Sequence, residues 1–232
     1  MSSQDAADTL TSLLMKRRSC RAYLAEQVPH ATIVRALEIA QRTASWCNVQ
    51  PWNVTITSGA ATERFREALS DHVAQAGWPN YAPDGDFDFP GRYDGIYNQR
   101  RKETAWTYYD AVGIARDDRA ASASQTFENF RLFGAPHFML ITTPASLGVY
   151  GAVDCGSYVA NVMVAFESLG VGSIAQAAIA MASGFVRQHF SIGDDQMVVC
   201  GISFGFPDRD HLFNSFAIGR APLTENVTFL DK

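Results

Sequence analysis

The sequence lacks several features that identify common classes of protein. Its formal net charge is -5, so it has no basic excess from which a general nucleic-acid-binding surface could be built. It has only four cysteines, widely spaced and without a C-x-x-C pair, and its five histidines show no paired ligand spacing. We therefore expect reduced thiols, no metal site and no nucleic-acid partner.

Long apolar segments are also missing. Residues 1–14 lack the continuous apolar stretch of a signal peptide, and no apolar run approaches the roughly 18 residues of a membrane span. These absences predict a cytoplasmic protein with no membrane partner. Gly170 and Gly172 lack a third glycine at the dinucleotide spacing, which excludes a Rossmann fingerprint. With 47% hydrophobic and 19% charged residues, the chain is typical of one globular domain spanning residues 1–232.

What the chain does contain is a concentrated basic segment near its N-terminus. Arg17, Arg18 and Arg21 stand close together with Ser19 between them. Arginine presents a planar, permanently charged fork that suits phosphate, and the serine hydroxyl adds a neutral hydrogen bond. In a chain of net negative charge, this local cluster predicts a small anionic partner.

A second polar segment follows at residues 44–52. Ser45, Asn48 and Gln50 supply hydrogen-bond donors and acceptors suited to the edge of a polar heterocycle, among apolar tryptophan and proline residues. Together the two segments are what a phosphorylated ring cofactor would require.

These residues carry a resemblance to a known family. Residues 17–21 read R-R-S-x-R, and residues 44–52 depart from P-S-x-x-N-x-Q-P-W only at Ala44, and both patterns are typical of the FMN-dependent nitroreductases. Further matches follow in the family's order at residues 170–173, 176–178, 198–208, 214 and 220–223. The chain therefore resembles that family over nearly its whole length.

Hydrophobic periodicity predicts helices and short buried strands that do not alternate regularly enough for a doubly wound sheet. The helices are predicted around residues 10–14, 33–40, 62–75, 102–115, 159–169 and 186–190, and the strands at 54–57, 137–142, 173–175 and 197–202. Pattern alone indicates a mixed α/β or α+β domain. The resemblance implies an α+β fold with a central, mostly antiparallel sheet flanked by helices, assembled as an intertwined homodimer.

Two segments have little periodicity. Residues 77–101 contain three prolines and many aromatic residues, and so long a segment inside a domain predicts a lid-like loop with partial order. Residues 206–232 are irregular but rich in apolar side chains. The resemblance implies that they form a tail that wraps the partner subunit.

The resemblance assigns the basic segment to FMN. It implies that Arg17 and Ser19 hold the phosphate and ribityl chain, that Arg220 approaches the phosphate from the C-terminal segment, and that Arg18 is a neighbour. Arg21 takes the position where the family places a cation beside the N1 and C2 carbonyl edge of the flavin. A fixed positive charge there favours the reduced cofactor.

Further contacts with the flavin are implied on both sides of the ring system. Side chains from the partner subunit would meet its pyrimidine and ribityl portions, while backbone N–H groups of the same chain would face the isoalloxazine. The side-chain contacts are implied for Ser45, Asn48 and Gln50, and the backbone contacts for Gln176, Ala177 and Ala178.

The implied activity is an FMN-dependent oxidoreductase that takes hydride from NADH or NADPH and reduces a small aromatic acceptor, of nitroaromatic or quinone type, by a ping-pong mechanism. No side chain is implied as a general acid or base. Two alternatives stay open, namely a reductive dehalogenase or enone reductase of the same family, and a non-catalytic flavin-binding protein. The Glu-Tyr-Lys trio of the deiodinase relatives is not found in the sequence.

One motif points to a different class of enzyme. Residues 201–205 match the G-x-S-x-G nucleophile elbow of serine hydrolases. An elbow must lead directly into a helix, yet Phe206-Pro207-Asp208 follows, and His211 is too close in sequence for the usual triad partner. We therefore expect Ser203 to be a small residue at the end of a strand.

Overall fold

The computed structural model describes residues 2–230, and they are organised around one four-stranded antiparallel sheet. The spatial order of its strands is β1-β2-β4-β3. Their bounds are Asn53–Ser58 for β1, His137–Pro144 for β2, Gly172–Gln176 for β3 and Gln196–Gly205 for β4. All three strand pairs are antiparallel, so the predicted α+β class with a central antiparallel sheet is confirmed.

Seven α-helices within residues 2–230 accompany the sheet. They are α1 Ser3–Lys16, α2 His30–Ala40, α3 Ala60–Gln75, α4 Gly95–Ala111, α5 Arg119–Phe127, α6 Gly148–Ser168 and α7 Ser183–Phe190. Helices α2 and α6 pack on one face of the sheet, and α3 and α7 pack on the other.

Strand β2 explains this three-layered arrangement. Seven of its eight residues are buried, because a central strand covered on both faces must be apolar throughout. Successive side chains point to opposite faces of a strand. Accordingly, Met139 and Ile141 belong to the core under α6, whereas Phe138 and Leu140 belong to the core under α3.

The longest helix is apolar on more than one side. Length and composition alone would allow the segment Ala145–Ser168 to cross a membrane, with 24 residues and a mean hydropathy of 1.2. In this fold, however, Cys155, Tyr158, Val162 and Phe166 of α6 are buried in the core beside the sheet. Core helices pass the same test, so the feature is weak evidence of a membrane span.

The predicted lid-like loop is shorter than residues 77–101. Helix α4 begins at Gly95, so residues 95–101 are helical and only 77–94 are irregular. Periodicity did not predict this start because α4 buries none of its residues and therefore has no apolar stripe.

The irregular segment is also held in place. The Asp84 carboxylate accepts the Gly184 N–H at 3.0 Å, and Asp86 accepts the Val198 N–H at 2.7 Å and forms an ion pair with Arg187. These contacts fix the middle of the loop to α7 and to the start of β4.

The C-terminal segment has no regular secondary structure beyond two single 3₁₀ turns, at Leu212–Asn214 and Leu223–Glu225. Its first part packs on its own chain, since the Leu24 N–H donates to the Phe206 carbonyl at 2.9 Å and the Asp208 N–H donates to the Ala22 carbonyl at 3.1 Å. Contacts within the chain continue further along the segment, because Glu225 forms an ion pair with Arg100 of α4 at 2.7 Å. That residues 206–232 wrap a partner subunit remains a prediction, and residues 231–232 lie outside the described residues.

Candidate functional site

The basic segment leaves α1 as extended chain and runs beside the edge strand of the sheet. Helix α1 ends at Lys16, Ser19 forms a parallel bridge with Ser173, and the Cys20 N–H donates to the Ser173 carbonyl at 3.1 Å. Successive side chains of extended chain point to opposite sides. Arg17, Ser19 and Arg21 consequently share one side, while Cys20 is buried on the other.

A cavity of about 820 Å³ opens on the arginine side of this segment. It lies between α1, α4 and the C-terminal segment, and no carboxylate is among the residues that line it. The lining includes Arg17, Arg18, Ser19, Arg21 and Arg220. The structure thus brings together Arg17, Ser19 and Arg220, predicted to hold the phosphate end of the cofactor, their neighbour Arg18, and Arg21, predicted to lie beside the flavin ring, although Arg220 is distant from the others in sequence.

The charges in this cavity repel one another. Burial lowers the pKa of the half-buried Arg17, and the nearby positive charge of Arg220 lowers it further, while Glu167 acts in the opposite direction. Two guanidiniums held this close without a carboxylate between them form a site for an anion, because an anion removes their repulsion and supplies their hydrogen-bond acceptors.

Arg18 differs from its neighbours. Its Nη1 donates to the Asn214 carbonyl at 3.2 Å, and its side chain also lines a second recess on the opposite side, beside Lys16 and Arg209. Arg18 therefore fastens the C-terminal segment, and it is less available to the cavity than Arg17 or Arg21.

Asn214 joins the C-terminal segment to the basic segment through its buried side chain. Its Oδ1 accepts the Arg21 N–H at 2.8 Å, and its Nδ2 donates to the carbonyls of Ala22 at 2.8 Å and Asp208 at 2.7 Å. This one amide fixes the position of Arg21 relative to the tail that carries Arg220.

Ser45, Asn48 and Gln50 lie on a different part of the surface and do not line this cavity. Their loop contains three non-glycine residues with left-handed backbone, namely Cys47, Asn48 and Gln50, with φ between 50° and 56°. Such conformations cost about 1–3 kcal/mol each and are concentrated at functional sites. Within one subunit these residues share no cavity with Arg17, and their contribution from a partner remains a prediction.

The loop is held in this conformation by hydrogen bonds. The Ser45 hydroxyl accepts the Gln50 N–H at 2.9 Å, and the Asp154 carboxylate on α6 accepts the Trp46 N–H at 3.1 Å. Trp52, which ends the motif, is buried and stacks on Tyr158 at 4.9 Å between ring centroids. The tryptophan is thus structural. The Gln50 side chain is exposed but engaged within the loop, since its Oε1 accepts from Gln41 Nε2 at 3.0 Å and its Nε2 donates to the Asn48 carbonyl at 3.1 Å, so the Asn48 side chain is the freest of the three.

Gln176, Ala177 and Ala178 stand where β3 ends and a 3₁₀ turn begins. The Gln176 side chain is buried and already engaged, because its Nε2 donates to the Asn129 carbonyl at 2.8 Å. Ala177 is exposed and Ala178 is half-buried, which leaves their backbone groups as the candidates for contact with a ligand.

Ser203 is not a nucleophile. It lies within β4 and is fully buried, and its hydroxyl forms a 2.5 Å hydrogen bond to Gln176 Oε1. A nucleophile elbow must expose its serine at a turn from strand to helix. The structure therefore excludes a serine-hydrolase role for the G-x-S-x-G match.

Within residues 2–230, no three His, Cys, Asp or Glu side chains lie close enough together to hold a metal ion. The four cysteines are free, and Cys20, Cys155 and Cys200 are buried.

Comparison with known proteins identifies the family. The family model for the nitroreductase family matches residues 14–206. The chain belongs to the nitroreductase family. Nitroreductase NfnB of Mycolicibacterium smegmatis is 32% identical over 228 residues, covering 97% of this chain and 94% of the relative. A 4-nitrobenzoate reductase of a Nocardioides species is 30% identical over 229 residues, covering 97% and 91%.

A solved structure shows the same fold as this nitroreductase-family chain. The crystal structure of the FMN-dependent nitroreductase NfnB from Mycobacterium smegmatis in complex with NADPH matches with a TM-score of 0.90 and 31% identity, covering 97% of this chain and 99% of the other. The family recognised from the sequence motifs is thus confirmed.

The sequence motifs did not predict the aromatic residues that surround Arg21 at the edge of the cavity. Tyr108 of α4, Phe133 of the turn after α5 and Phe216 of the C-terminal segment surround the Arg21 guanidinium. No local motif marks them, because each comes from a different element. The one sequence signal near Phe133 is Gly134, because a glycine indicates a sharp turn. In the structure, Leu132 and Phe133 before it have left-handed backbone, with φ of 56° and 51°.

Proposed function

We propose that this chain is an FMN-dependent NAD(P)H oxidoreductase that reduces nitroaromatic compounds. The observation that carries the proposal is the cavity of about 820 Å³, which several arginines and a serine line without any carboxylate, in a chain of the nitroreductase family. Guanidiniums and a hydroxyl are the donors that a phosphate dianion requires.

The residues of this chain divide the work of holding FMN. Arg17, Ser19 and Arg220 bind the phosphate, and Arg21 places its charge at the ring edge that becomes electron-rich on reduction. The backbone N–H groups of Ala177 and Ala178 orient the ring. When bound, FMN supplies the redox chemistry, accepting hydride from NADH or NADPH and passing electrons to the acceptor.

The acceptor class follows from the relatives. Two relatives are named as 4-nitrobenzoate reductases. Tyr97 in the first turn of α4 is exposed, and its ring offers a stacking surface for a flat aromatic acceptor. Quinones share that shape and are the second acceptor class to test.

A homodimer forms part of the proposal. The outer face of α6 exposes Val149, Tyr150 and Val153 to 71%, 61% and 55%, and Trp46 of the strained loop packs edge-on against Tyr150 at 4.5 Å. A contiguous exposed apolar surface of this kind supports association with a second copy. Such a dimer would bring the second subunit's Ser45, Asn48 and Gln50 to the cofactor. The predicted cytoplasmic location is also part of the proposal, and cell fractionation tests it.

The visible spectrum of the purified protein is the first test. A flavin spectrum that is bleached anaerobically by NADPH or NADH, and restored by 4-nitrobenzoate, supports the proposal, with parallel double-reciprocal plots expected from alternating use of one cavity. Bleaching that only a halogenated aromatic or an enone reverses would support the alternative reductases. Flavin that neither nucleotide bleaches would indicate a binding protein, and a colourless protein that cannot bind FMN would refute the assignment.

A further inference from the structure

We propose that Tyr108 is a positioning residue that clamps Arg21 beside the flavin site and thereby sets the reduction potential of the bound flavin. The inference rests on the proposed function and adds to it a residue that lies outside the sequence motifs. The inference is based on the packing of Arg21, whose guanidinium is surrounded by aromatic rings and is not paired with a carboxylate.

Three aromatic rings surround the guanidinium. The Cζ atom of Arg21 lies 4.7 Å from the centroid of the Tyr108 ring, 5.8 Å from that of Phe216 and 5.9 Å from that of Phe133. A cation within about 6 Å of an aromatic face is attracted by the ring quadrupole, most strongly where water is excluded. Tyr108 makes the shortest of the three contacts, and its ring also packs against Phe216 at 5.2 Å.

No described carboxylate is ion-paired with Arg21. Its one side-chain hydrogen bond goes to a neutral acceptor, the Ser19 carbonyl, at 3.2 Å. Glu128 is the carboxylate whose charge influences the pKa of Tyr108, and it is ion-paired with Arg131 at 2.9 Å. A carboxylate partner would cancel the charge of Arg21, whereas an aromatic ring holds the guanidinium and leaves its full charge for an anion in the cavity.

The hydroxyl of Tyr108 takes no part in this contact. It is buried near the Gln125 side chain of α5 without forming a well-aligned hydrogen bond, and burial raises the pKa of Tyr108 to about 12 while Gln125 acts in the opposite direction. Removing the hydroxyl therefore costs at most this weak contact with Gln125 and leaves the ring over Arg21 in place. The ring alone therefore positions Arg21, and the phenylalanine variant separates the two parts of the side chain.

The test compares Tyr108→Phe with Tyr108→Leu in the FMN-loaded protein. Anaerobic titration against reference dyes gives the reduction potential, and fluorescence titration gives the dissociation constant of oxidised FMN. We expect Tyr108→Leu to lower the affinity for reduced flavin, relative to oxidised flavin, about tenfold, which corresponds to about 30 mV for a two-electron couple. Tyr108→Phe should keep the wild-type potential.

A matched control is available on the same helix. Trp106 packs against the Arg116 guanidinium at 4.7 Å, the distance of the Tyr108 contact, but neither residue lines the cavity. Trp106→Leu removes a cation–π pair from α4 without touching Arg21, so the potential should not change. If the reduction potential of the flavin fell in Trp106→Leu as well, the fall in Tyr108→Leu would reflect a disturbance of α4 and not the loss of the contact with Arg21.

A double-mutant cycle shows whether Tyr108 acts through Arg21. Arg21→Gln should itself lower the potential, and in that background Tyr108→Leu should have no further effect, because the charge it positions is gone. Additive shifts, an unchanged potential in Tyr108→Leu, or an equal fall in Tyr108→Phe would each overturn the clamp while leaving the flavin assignment intact. A wild-type protein that binds no FMN would instead refute the proposed function.

Discussion

At the scale of single residues, the clustering of several arginines around one cavity that no carboxylate lines distinguishes the candidate site from the rest of the described chain. Arg35 pairs with a carboxylate on the surface, and Arg187 pairs with Asp86 of the irregular loop. Arg17, Arg21 and Arg220, by contrast, form no ion pair with a described carboxylate. Since exposed ion pairs contribute little to stability, the cations without partners are more informative about function than the paired ones.

Replacing Arg17 or Arg220 with alanine should weaken FMN binding. Each change removes a charge-assisted contact to phosphate, worth about 1.5–3 kcal/mol, which is roughly a 10- to 100-fold increase in the dissociation constant. Fluorescence titration with FMN measures the effect. Arg35→Ala serves as the control because Arg35 is exposed on α2 and paired with Glu38. Unchanged dissociation constants in both cavity variants would remove the basic segment from the site.

His137 should make stability depend on pH. Its Nε2 accepts the Val28 N–H at 2.9 Å, its Nδ1 bonds the Ser58 hydroxyl at 2.8 Å, and burial lowers its pKa below the ordinary 6.5. The neutral ring is thus favoured in the folded state. Its contribution is complete above pH 6.5 and is lost as the pH falls below that value toward the lowered folded pKa.

Urea unfolding at pH 7.5 and pH 5.5 checks this expectation. The free energy of unfolding of the wild type should fall at the lower pH, and His137→Gln, which does not titrate, should reduce that fall. His30→Gln is the control, since His30 is exposed at the start of α2. An equal fall in wild type and His137→Gln would assign the pH dependence to other groups.

At the scale of elements, the site depends on how an irregular segment is attached to the sheet. The basic segment follows the edge of β3, and the C-terminal segment lies against it through Asn214. Neither segment belongs to a named strand at this point, and they are joined by a short antiparallel bridge between Tyr23 and Pro207 and by the side-chain hydrogen bonds of Asn214. The cavity exists because these two irregular segments and α4 meet.

Asn214→Leu should detach the C-terminal segment. The change keeps the approximate volume but leaves the Arg21 N–H and two carbonyls without their partners, at a cost on the order of 3 kcal/mol. We expect a lower free energy of unfolding in urea and weaker FMN binding in the same variant. Asn226→Leu is the matched control, because Asn226 lies near the end of the segment and makes only a 3.5 Å contact with Arg100. Full FMN affinity in Asn214→Leu would show that the tail does not complete the site.

At the scale of the whole molecule, much of the apolar surface has no cover within one subunit. Besides the outer face of α6, the C-terminal segment exposes Leu223, Phe229 and Leu230, the last to 88%. An isolated subunit would have to keep these side chains in water. Their distribution on a core helix and on a tail suits the predicted intertwined dimer.

Val153→Asp should therefore yield a monomer. A charge at the centre of the exposed α6 face must lose its hydration if that face is covered by a second copy, which costs several kcal/mol. Sedimentation analysis should show half the wild-type mass, and FMN should be lost because the partner's loop at residues 45–50 no longer reaches the site. A monomer that still binds FMN with wild-type affinity would contradict the shared site, and a dimer would place the interface elsewhere.

Local sequence determined a large part of this protein. The buried strands were predictable because a strand covered on both faces must be continuously apolar, as residues 137–142 are. The family was predictable because several short motifs, beginning with those at residues 17–21 and 44–52, follow one another in the family's order along the chain. The start of α4 was not predictable, because a helix that buries no residue lacks the periodic signal on which such predictions depend.

Only the tertiary structure decided which residues meet. Arg220 reaches Arg17, and Tyr108 covers Arg21, through contacts between elements that are distant in the chain, and no local pattern encodes such distances. The fold also changed the meaning of residues the motifs had singled out, since Arg18 turned to the C-terminal segment and the Gln176 side chain into the core. The physical reason is that short-range sequence sets backbone conformation and charge, whereas long-range packing determines which side chains are left facing a cavity without a partner.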